Sequence, residues 1–207
     1  MRIVIALLCA VATGASAGGE QATTRPADLS SPRAALTTYC HAIKSADLAT
    51  AKKVLRTSDA QDKELVDLGV VFHIEVEKLV AAVEQKFGDG AAATVRQTLR
   101  KSGPSTFIPA LEKALPDAPA DVTGDATEFR VADDQPVLKL SRANGEWAID
   151  MTATVSYLTP EQRERILTSL PPITKKMKEC SDGIAAGKIG SVDDVMSRIN
   201  PPERGPN

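Results

Sequence analysis

The longest periodic segment of the chain, from about Asp59 to Phe87, restricts the fold more than any other feature. Its apolar residues recur every three or four positions: Leu65, Leu68, Phe72, Val76, Leu79, Val83 and Phe87. This spacing places them on one side of an α-helix. Gly88 follows as a typical helix stop. The sequence therefore predicts a long helix that lies on a core and needs other elements to cover its apolar stripe.

A helical hairpin is predicted before this helix. Ser31-Pro32 is a good helix start, because Ser caps free N–H groups and Pro suits the first helical position. Asp47 is a cap for a second short helix. The apolar residues of the two helices are Leu36, Tyr39, Cys40, Ile43, Leu48, Ala51, Val54 and Leu55.

Further helices are predicted after Gly88. Inserted helices occupy about residues 90–115, with a break at Gly103-Pro104. C-terminal helices occupy about 159–199 and begin at Thr159-Pro160, with Gln162 completing a capping pattern. Pro171-Pro172 is expected to end the first of these helices near Leu170. Residues 200–207 form a polar tail.

The period changes to two between about residues 126 and 151, which indicates strands. The alternating apolar residues are Phe129, Val131, Leu138, Leu140, Trp147, Ile149 and Met151. Asn144-Gly145 is a strong hairpin signal, because a tight primed turn needs positive φ, and Asp133 to Pro136 marks an earlier turn. We expect a three-stranded antiparallel sheet, with Thr152 to Ser156 extending it or adding an edge strand. The fold class is α+β, mainly helical.

The N-terminus has the pattern of a secretory signal peptide over residues 1–17. A charged start, an apolar run and Ala15-Ser16-Ala17 predict cleavage near Ala17 and therefore export, periplasmic or secreted. The run is shorter than the roughly 20 residues that span a bilayer, and no later stretch comes close. A lipoprotein with Cys9 at its processing site is a minor alternative. Residues 18–30 read as a disordered leader, and 31–199 as one domain.

Charge and aromatic content argue against nucleic acid as a partner. Removal of Arg2 with the signal peptide leaves 24 basic residues against 27 acidic ones, a net charge of −3. The chain has seven aromatic residues and intersperses its charges, without the basic patch of nucleic-acid binders. The remaining partner classes are an unidentified small molecule and an envelope protein.

The arrangement resembles a known superfamily. The segments SPRAALTTYCHAIKSADLATAKKVL, GDATEFRV and NGEWAID are similar to the opening helical hairpin and strands of NTF2-like, cystatin-like cone domains of the SnoaL and ketosteroid-isomerase type, common among exported bacterial proteins. The resemblance covers Ser31 to about Asp150. It implies helices packed on a small curved antiparallel sheet, with a cavity at the open end of the cone.

If the cone is open, five residues are candidates to line a ligand pocket: Tyr39, Phe72, Trp147, Ile149 and Met151. An apolar strand face needs no ligand to explain it, so the same residues are also expected of an ordinary core. Some enzymes of this superfamily use a pocket Asp or His for proton transfer, and neither maps onto a matching motif here. Asp150 alternates to the other face of its strand and is expected to be solvated rather than a buried base.

Other chemistry has little support. His73 and Glu77 stand four positions apart on the long helix and form a weak metal candidate, which lacks a third ligand. His41 has no ligand partner nearby in the sequence. No nucleophile elbow, phosphate loop or paired-cysteine motif is present, so we assign no catalytic residue, metal or cofactor.

Cys40 and Cys180 are the two cysteines left after loss of Cys9 with the signal peptide. In an oxidising compartment they could form a disulfide that ties the C-terminal helices to the first helix. Two buried free thiols are the equally open alternative.

We expect an exported, non-catalytic binding or assembly module. The alternative is a small-molecule enzyme of the NTF2-like superfamily, an isomerase or hydrolase acting on an apolar ligand. An open cavity holding a carboxylate or His with a perturbed pKa favours the enzyme, and a filled cone favours the module.

Overall fold

The protein is α+β and mainly helical. The computed structural model describes residues 26–102, 107–131 and 137–199. A short 3-10 helix, Leu115–Asp117, follows α5. The helices are α1 Pro32–Lys44, α2 Leu48–Lys53, α3 Ala60–Phe87, α4 Asp89–Ser102, α5 Phe107–Ala114, α6 Thr152–Ser156, α7 Pro160–Ala185 and α8 Val192–Ile199. The strands are β1 Leu55–Arg56, β2 Ala126–Arg130, β3 Val137–Ala143 and β4 Glu146–Asp150.

The predicted helix starts are confirmed, because each has the side-chain cap that the sequence indicates. Ser31 accepts a hydrogen bond from the Ala34 N–H at 3.1 Å, and Asp47 accepts one from the Thr50 N–H at 3.0 Å. At α7, the Thr159 hydroxyl and the Gln162 side chain each accept from the other's backbone N–H, a complete capping box. The long helix also ends where expected, with Gly88 at φ 87°.

The three predicted strands form an antiparallel meander in which β3 pairs with both β2 and β4. Asn144 and Gly145 join β3 to β4 with φ values of 54° and 81°, the backbone that the tight turn requires. The strand order in the sheet is β1-β4-β3-β2.

The sheet contains a fourth strand, so it is mixed rather than wholly antiparallel. α2 ends at Lys53, and Leu55 belongs to β1 instead of to the second helix as expected. β1 runs parallel to β4, with Leu55 opposite Ile149. Two residues are too few to show the period-two pattern of a strand in the sequence. β1 forms because it pairs with β4, which is far away in the chain.

Two further expectations in the C-terminal part are wrong. Thr152–Ser156 is helix α6 and not an edge strand. α7 continues through Pro171 and Pro172 to Ala185. Two adjacent prolines remove two helical hydrogen bonds, which frees the carbonyls of Leu167 and Thr168. Thr168 is exposed and Leu167 only partly buried, so this side of the helix faces water. Burial of the later residues Met177, Cys180 and Ile184 offsets this cost.

The apolar residues form two main clusters on opposite sides of α3. Cluster 1 lies between α1, α2, α5 and the sheet, and α3 contributes Val70 and Ile74 to it. Cluster 2 lies between α3, α4, α7 and α8, and it includes Phe72, Val76 and Leu79. The predicted stripe therefore covers only one of the two faces that α3 buries. α3 is the central helix of the fold.

Several predicted features lie outside the described residues: the signal peptide, residues 18–25 of the leader, the Gly103-Pro104 break, the turn from Asp133 to Pro136 and the tail. The leader's last residues differ from the expected free tether. Leu29 is buried in cluster 1, and its carbonyl accepts a hydrogen bond from the Trp147 N–H at 2.9 Å. Among the described helices, none is both long and apolar enough to cross a membrane.

Candidate functional site

The predicted pocket residues on α1 and β4 come together, but as tightly packed core. Tyr39, Trp147 and Ile149 are 5%, 2% and 2% exposed, and all belong to cluster 1. Met151 is partly buried and packs against the same cluster. Burial raises the pKa of the Tyr39 hydroxyl, and the neighbouring Cys40 adds to this effect.

Phe72 does not join them. It lies in cluster 2, while Val70 and Ile74, two positions to either side, lie in cluster 1. Residues two apart on a helix point about 200° away from each other, so the two sets occupy opposite faces of α3. A pocket lined by all five predicted residues would have to pass through the helix.

His73 lies at the boundary between these faces and is 6% exposed. Its ring contacts Phe72 edge-on at 5.9 Å between centroids, and Phe107 of α5 at 6.2 Å. Burial in this apolar setting lowers the pKa of His73 to about 4, because a charged imidazole would lose its hydration. His73 is therefore neutral at physiological pH and shielded from solvent.

Glu77, one turn further along α3, is also buried and is held by Arg96 of α4. The two guanidinium N–H groups donate to the two carboxylate oxygens, each at 3.0 Å. This pairing occupies the groups that a metal ion shared with His73 would need. Within the described ranges, no group of three or more His, Cys, Asp or Glu side chains could hold a metal ion.

Glu75 is a third buried polar residue on α3, and the periodicity did not single it out. One oxygen, Oε1, accepts from the Lys78 ammonium at 2.8 Å. The other, Oε2, is buried and has no hydrogen-bond partner in the described part of the chain. Its only signal in the sequence is that Glu75 and Glu77 alternate with the apolar Ile74 and Val76. A helix covered on one face would turn such residues to water, whereas α3 is covered on two.

Asp62 and Arg163 join the N-terminal ends of α3 and α7. Asp62 is 3% exposed and accepts a hydrogen bond from the Arg163 guanidinium. Arg163 also donates to the backbone carbonyls of Val155 at 3.0 Å and Leu158 at 3.4 Å. The pair therefore attaches the α6–α7 connection to the central helix, and its geometry indicates a structural role.

Cys40 and Cys180 are free buried thiols, which is the second of the two alternatives, and the candidate disulfide is not formed. Cys40 lies in cluster 1 and Cys180 in cluster 2, on different sides of α3. Burial is the main cause that raises the pKa of each thiol. Neither has the lowered pKa of a reactive cysteine.

An open groove lies between α2 and the first half of α3, and none of the predicted site residues lines it. It is lined by Lys52, Ala60, Lys63, Glu64, Asp67, Leu68 and Val71. Asp67 forms ion pairs with Lys52 at 2.9 Å and Lys63 at 3.1 Å, so its carboxylate is already engaged by both ammonium groups of the groove. The groove has no buried nucleophile or base among its lining residues.

The arrangement as a whole is a central helix whose buried polar groups are paired or enclosed, rather than an accessible catalytic centre. Asp150, which is partly buried, accepts the Thr152 N–H at 2.9 Å and so serves the start of α6. No family model, curated protein or solved structure matches the chain.

Proposed function

We propose that the chain is a non-catalytic binding or assembly module that acts after export. The observation that carries this proposal is the close packing of Tyr39, Trp147 and Ile149, each at most 5% exposed, at the place where an open cone would hold a ligand. A ligand site needs accessible concave surface, and these side chains present almost none.

The buried titratable groups support the same proposal over the enzyme alternative. His73 has a perturbed pKa, but it is enclosed by Phe72 and Phe107 and cannot reach a substrate as the residues stand. Glu77 has both oxygens bound to Arg96. A general base must lie within hydrogen-bond reach of the proton that it removes.

Export and an NTF2-like core remain part of the proposal. The pattern of residues 1–17 supports export. The α1–α2 hairpin packed on a small sheet in cluster 1 supports an NTF2-like core. The partner is an envelope protein or an unidentified small molecule bound at the surface.

Native mass spectrometry of the mature protein, purified after export in a bacterial host, tests the proposal. We expect a chain beginning at Gly18 and the same mass per chain under native and denaturing conditions, whether the native species is a monomer or a dimer. A mass excess per chain that disappears on denaturation, together with solvent access to Trp147, would contradict the filled core and favour the enzyme alternative. An uncleaved N-terminus, or cleavage at Cys9 with lipid attached, would contradict the export route separately.

Trp147 supplies a second test, because it is the only tryptophan in the chain. We expect its fluorescence to resist quenching by acrylamide in the folded protein, as its 2% exposure requires. The variant Ile149→Ala is the matched control, since it opens space beside the indole and should increase quenching. Quenching in the unmodified protein as strong as in urea would show that the cone is open.

A further inference from the structure

The two outer strands of the antiparallel meander, β4 and β2, differ in how they are covered. On the outer side of β4, the N–H groups of Trp147, Ile149 and Met151 donate to the carbonyls of Leu29, Val54 and Arg56 at 2.8–2.9 Å, so β1 and the residues beside it cover this strand. On the opposite side, β2 is an edge strand of the sheet and pairs only with β3. Within the described part of the chain, no backbone hydrogen bond reaches the outer edge of β2. An uncovered edge strand is a template for pairing with another chain.

The register identifies which backbone groups of β2 face outwards. The Arg142 N–H donates to the Asp125 carbonyl at 2.8 Å, one step beyond the Ala126–Ser141 pair. Bonded and non-bonded pairs alternate along an antiparallel ladder. Thr127 and Phe129 therefore bond to β3. The N–H and C=O groups of Ala126, Glu128 and Arg130 point to the free edge.

We propose that β2 pairs antiparallel with the β2 strand of a second copy of this chain, about a two-fold axis at Phe129. Glu128 then lies opposite Arg130 of the partner subunit, and Arg130 opposite Glu128 of the partner subunit. Each of these two pairs exchanges both of its backbone hydrogen bonds, about four bonds in all. The two sheets become one continuous sheet across the dimer.

Charge decides between the possible registers. We compare symmetric pairings of two β2 strands that are centred on Thr127, Glu128, Phe129 or Arg130. Centring on Glu128 or on Arg130 sets two like charges directly opposite each other, which is destabilising. Centring on Thr127 places Arg130 opposite Gly124 of the partner subunit, beyond the end of β2. Only the register centred on Phe129 forms two pairs of opposite charge.

The side chains agree with this register. Glu128 and Arg130 are both exposed on the solvent face of the sheet, where Glu128 also lies 3.8 Å from the Lys139 ammonium of β3. So exposed a pair contributes little, and Glu128 can still meet Arg130 of the partner subunit. Phe129 is 6% exposed and lies on the face that packs in cluster 1. At the two-fold axis it would meet Phe129 of the partner subunit, which extends the apolar layer across the dimer. This inference goes beyond the proposed function and does not depend on the module's partner.

Sedimentation equilibrium of the mature full-length chain over a concentration series tests the dimer. We expect a reversible monomer–dimer equilibrium. Arg130→Glu and Glu128→Arg each place like charges in both cross-strand pairs and should raise the dimer Kd at least about tenfold. The double variant, Glu128→Arg with Arg130→Glu, restores opposite pairs and should return the Kd towards that of the unmodified chain.

Lys53→Glu is the matched control, because it reverses an exposed charge that pairs with Glu146 on β4, away from the β2 edge. Its Kd should not change. Circular dichroism confirms that each variant is folded. A chain that stays monomeric at its highest soluble concentration overturns the proposal, and so does a dimer that both single reversals leave intact. Failure of the double variant to recover overturns the register.

Single-cysteine variants check the register independently. A mixture of Glu128→Cys and Arg130→Cys chains should form a disulfide between the two different chains, because directly paired residues lie about 5.5 Å apart between Cα atoms. Glu128→Cys cross-linked to itself would instead identify the register centred on Glu128, and would contradict ours.

Discussion

Glu77 on α3 and Arg96 on α4 form a two-bond ion pair, with both N–H···O distances 3.0 Å. Glu77 is 8% exposed, so most of the hydration of its carboxylate has been exchanged for this one partner. The pair explains how a charged residue is accommodated on a helix that is buried on two faces.

Removal of one member should therefore destabilise the fold strongly. We expect Arg96→Met to lower the free energy of unfolding by about 3 kcal/mol, because it leaves a buried charge without a partner. The double variant Glu77→Leu with Arg96→Met should recover most of the loss, since it buries no charge. Urea unfolding measures both. Lys175→Met, in the exposed pair with Glu179, is the control and should have no measurable effect. Equal losses in the single and double variants would contradict this account.

His73 should make the protein less stable in mild acid. Its pKa is lowered from 6.5 to about 4 in the folded protein, so between these values the unfolded chain binds more protons. Stability from this residue is fully present above pH 6.5 and is lost as the pH falls towards 4, by up to about 3 kcal/mol.

The measurement is urea unfolding at several pH values between 4 and 7.5, for the unmodified protein and His73→Leu. Other titrating groups act equally in both, so the variant should show a smaller loss on acidification. His41→Gln, at an exposed site on α1, is the matched control for the loss of a histidine outside the core. Parallel pH profiles for the unmodified protein and His73→Leu would refute the assignment.

Gly183 is required by the packing of Ile189. A Cβ atom at Gly183 would lie 2.8 Å from Ile189 Cδ1 and 3.1 Å from Cγ1, and Ile189 is 1% exposed and has little space to move. We expect Gly183→Ala to destabilise by about 1–2 kcal/mol, because the strain exceeds the helix-propensity gain of alanine. Adding Ile189→Val should relieve part of the strain.

Gly69 of α3 supplies the control for this substitution in thermal unfolding. A Cβ atom there would meet nothing within 4 Å. Gly69→Ala should therefore stabilise by about 0.5–1 kcal/mol through propensity alone. The two alanine variants should shift the melting temperature in opposite directions. A shift in the same direction would show that the Ile189 contact is not limiting.

Cys40 and Cys180 should both react with a thiol reagent, but only after the protein unfolds. They are 2% and 1% exposed and lie in separate clusters, so a thiol reagent cannot reach them and they cannot join each other in the folded protein. We expect slow labelling in buffer and two labels per mature chain in denaturant. A mass two hydrogens low in the exported protein, with no labels, would show that the disulfide forms.

Local chemistry made much of the fold predictable. The starts of α1, α2 and α7 follow from Ser31, Asp47 and Thr159, whose side chains bond to N–H groups three residues away. The β3–β4 hairpin follows from Asn144 and Gly145, which tolerate positive φ. These interactions involve neighbours in the chain, so they can be read without knowledge of the rest of the molecule.

The burial and partners of the candidate site residues are less predictable from the sequence, because they depend on which elements cover each face of α3. The periodic stripe identifies one buried face of α3, whereas the second face, with Val70 and Ile74, depends on the elements of cluster 1 that cover it. Nothing in the sequence around Arg96 indicates that its side chain pairs with Glu77, 19 residues earlier. The sequence predicts Phe72 and Trp147 in one apolar pocket, whereas they lie in clusters on opposite sides of α3.

The sequence by itself determined where most helices and turns begin and end, because capping groups and turn residues act within a few positions. The tertiary structure alone decided that Leu55 and Arg56 form a strand, that α7 passes through two prolines, and that α3 is enclosed on both sides. These outcomes depend on contacts between residues far apart in the chain, whose burial outweighs local preference.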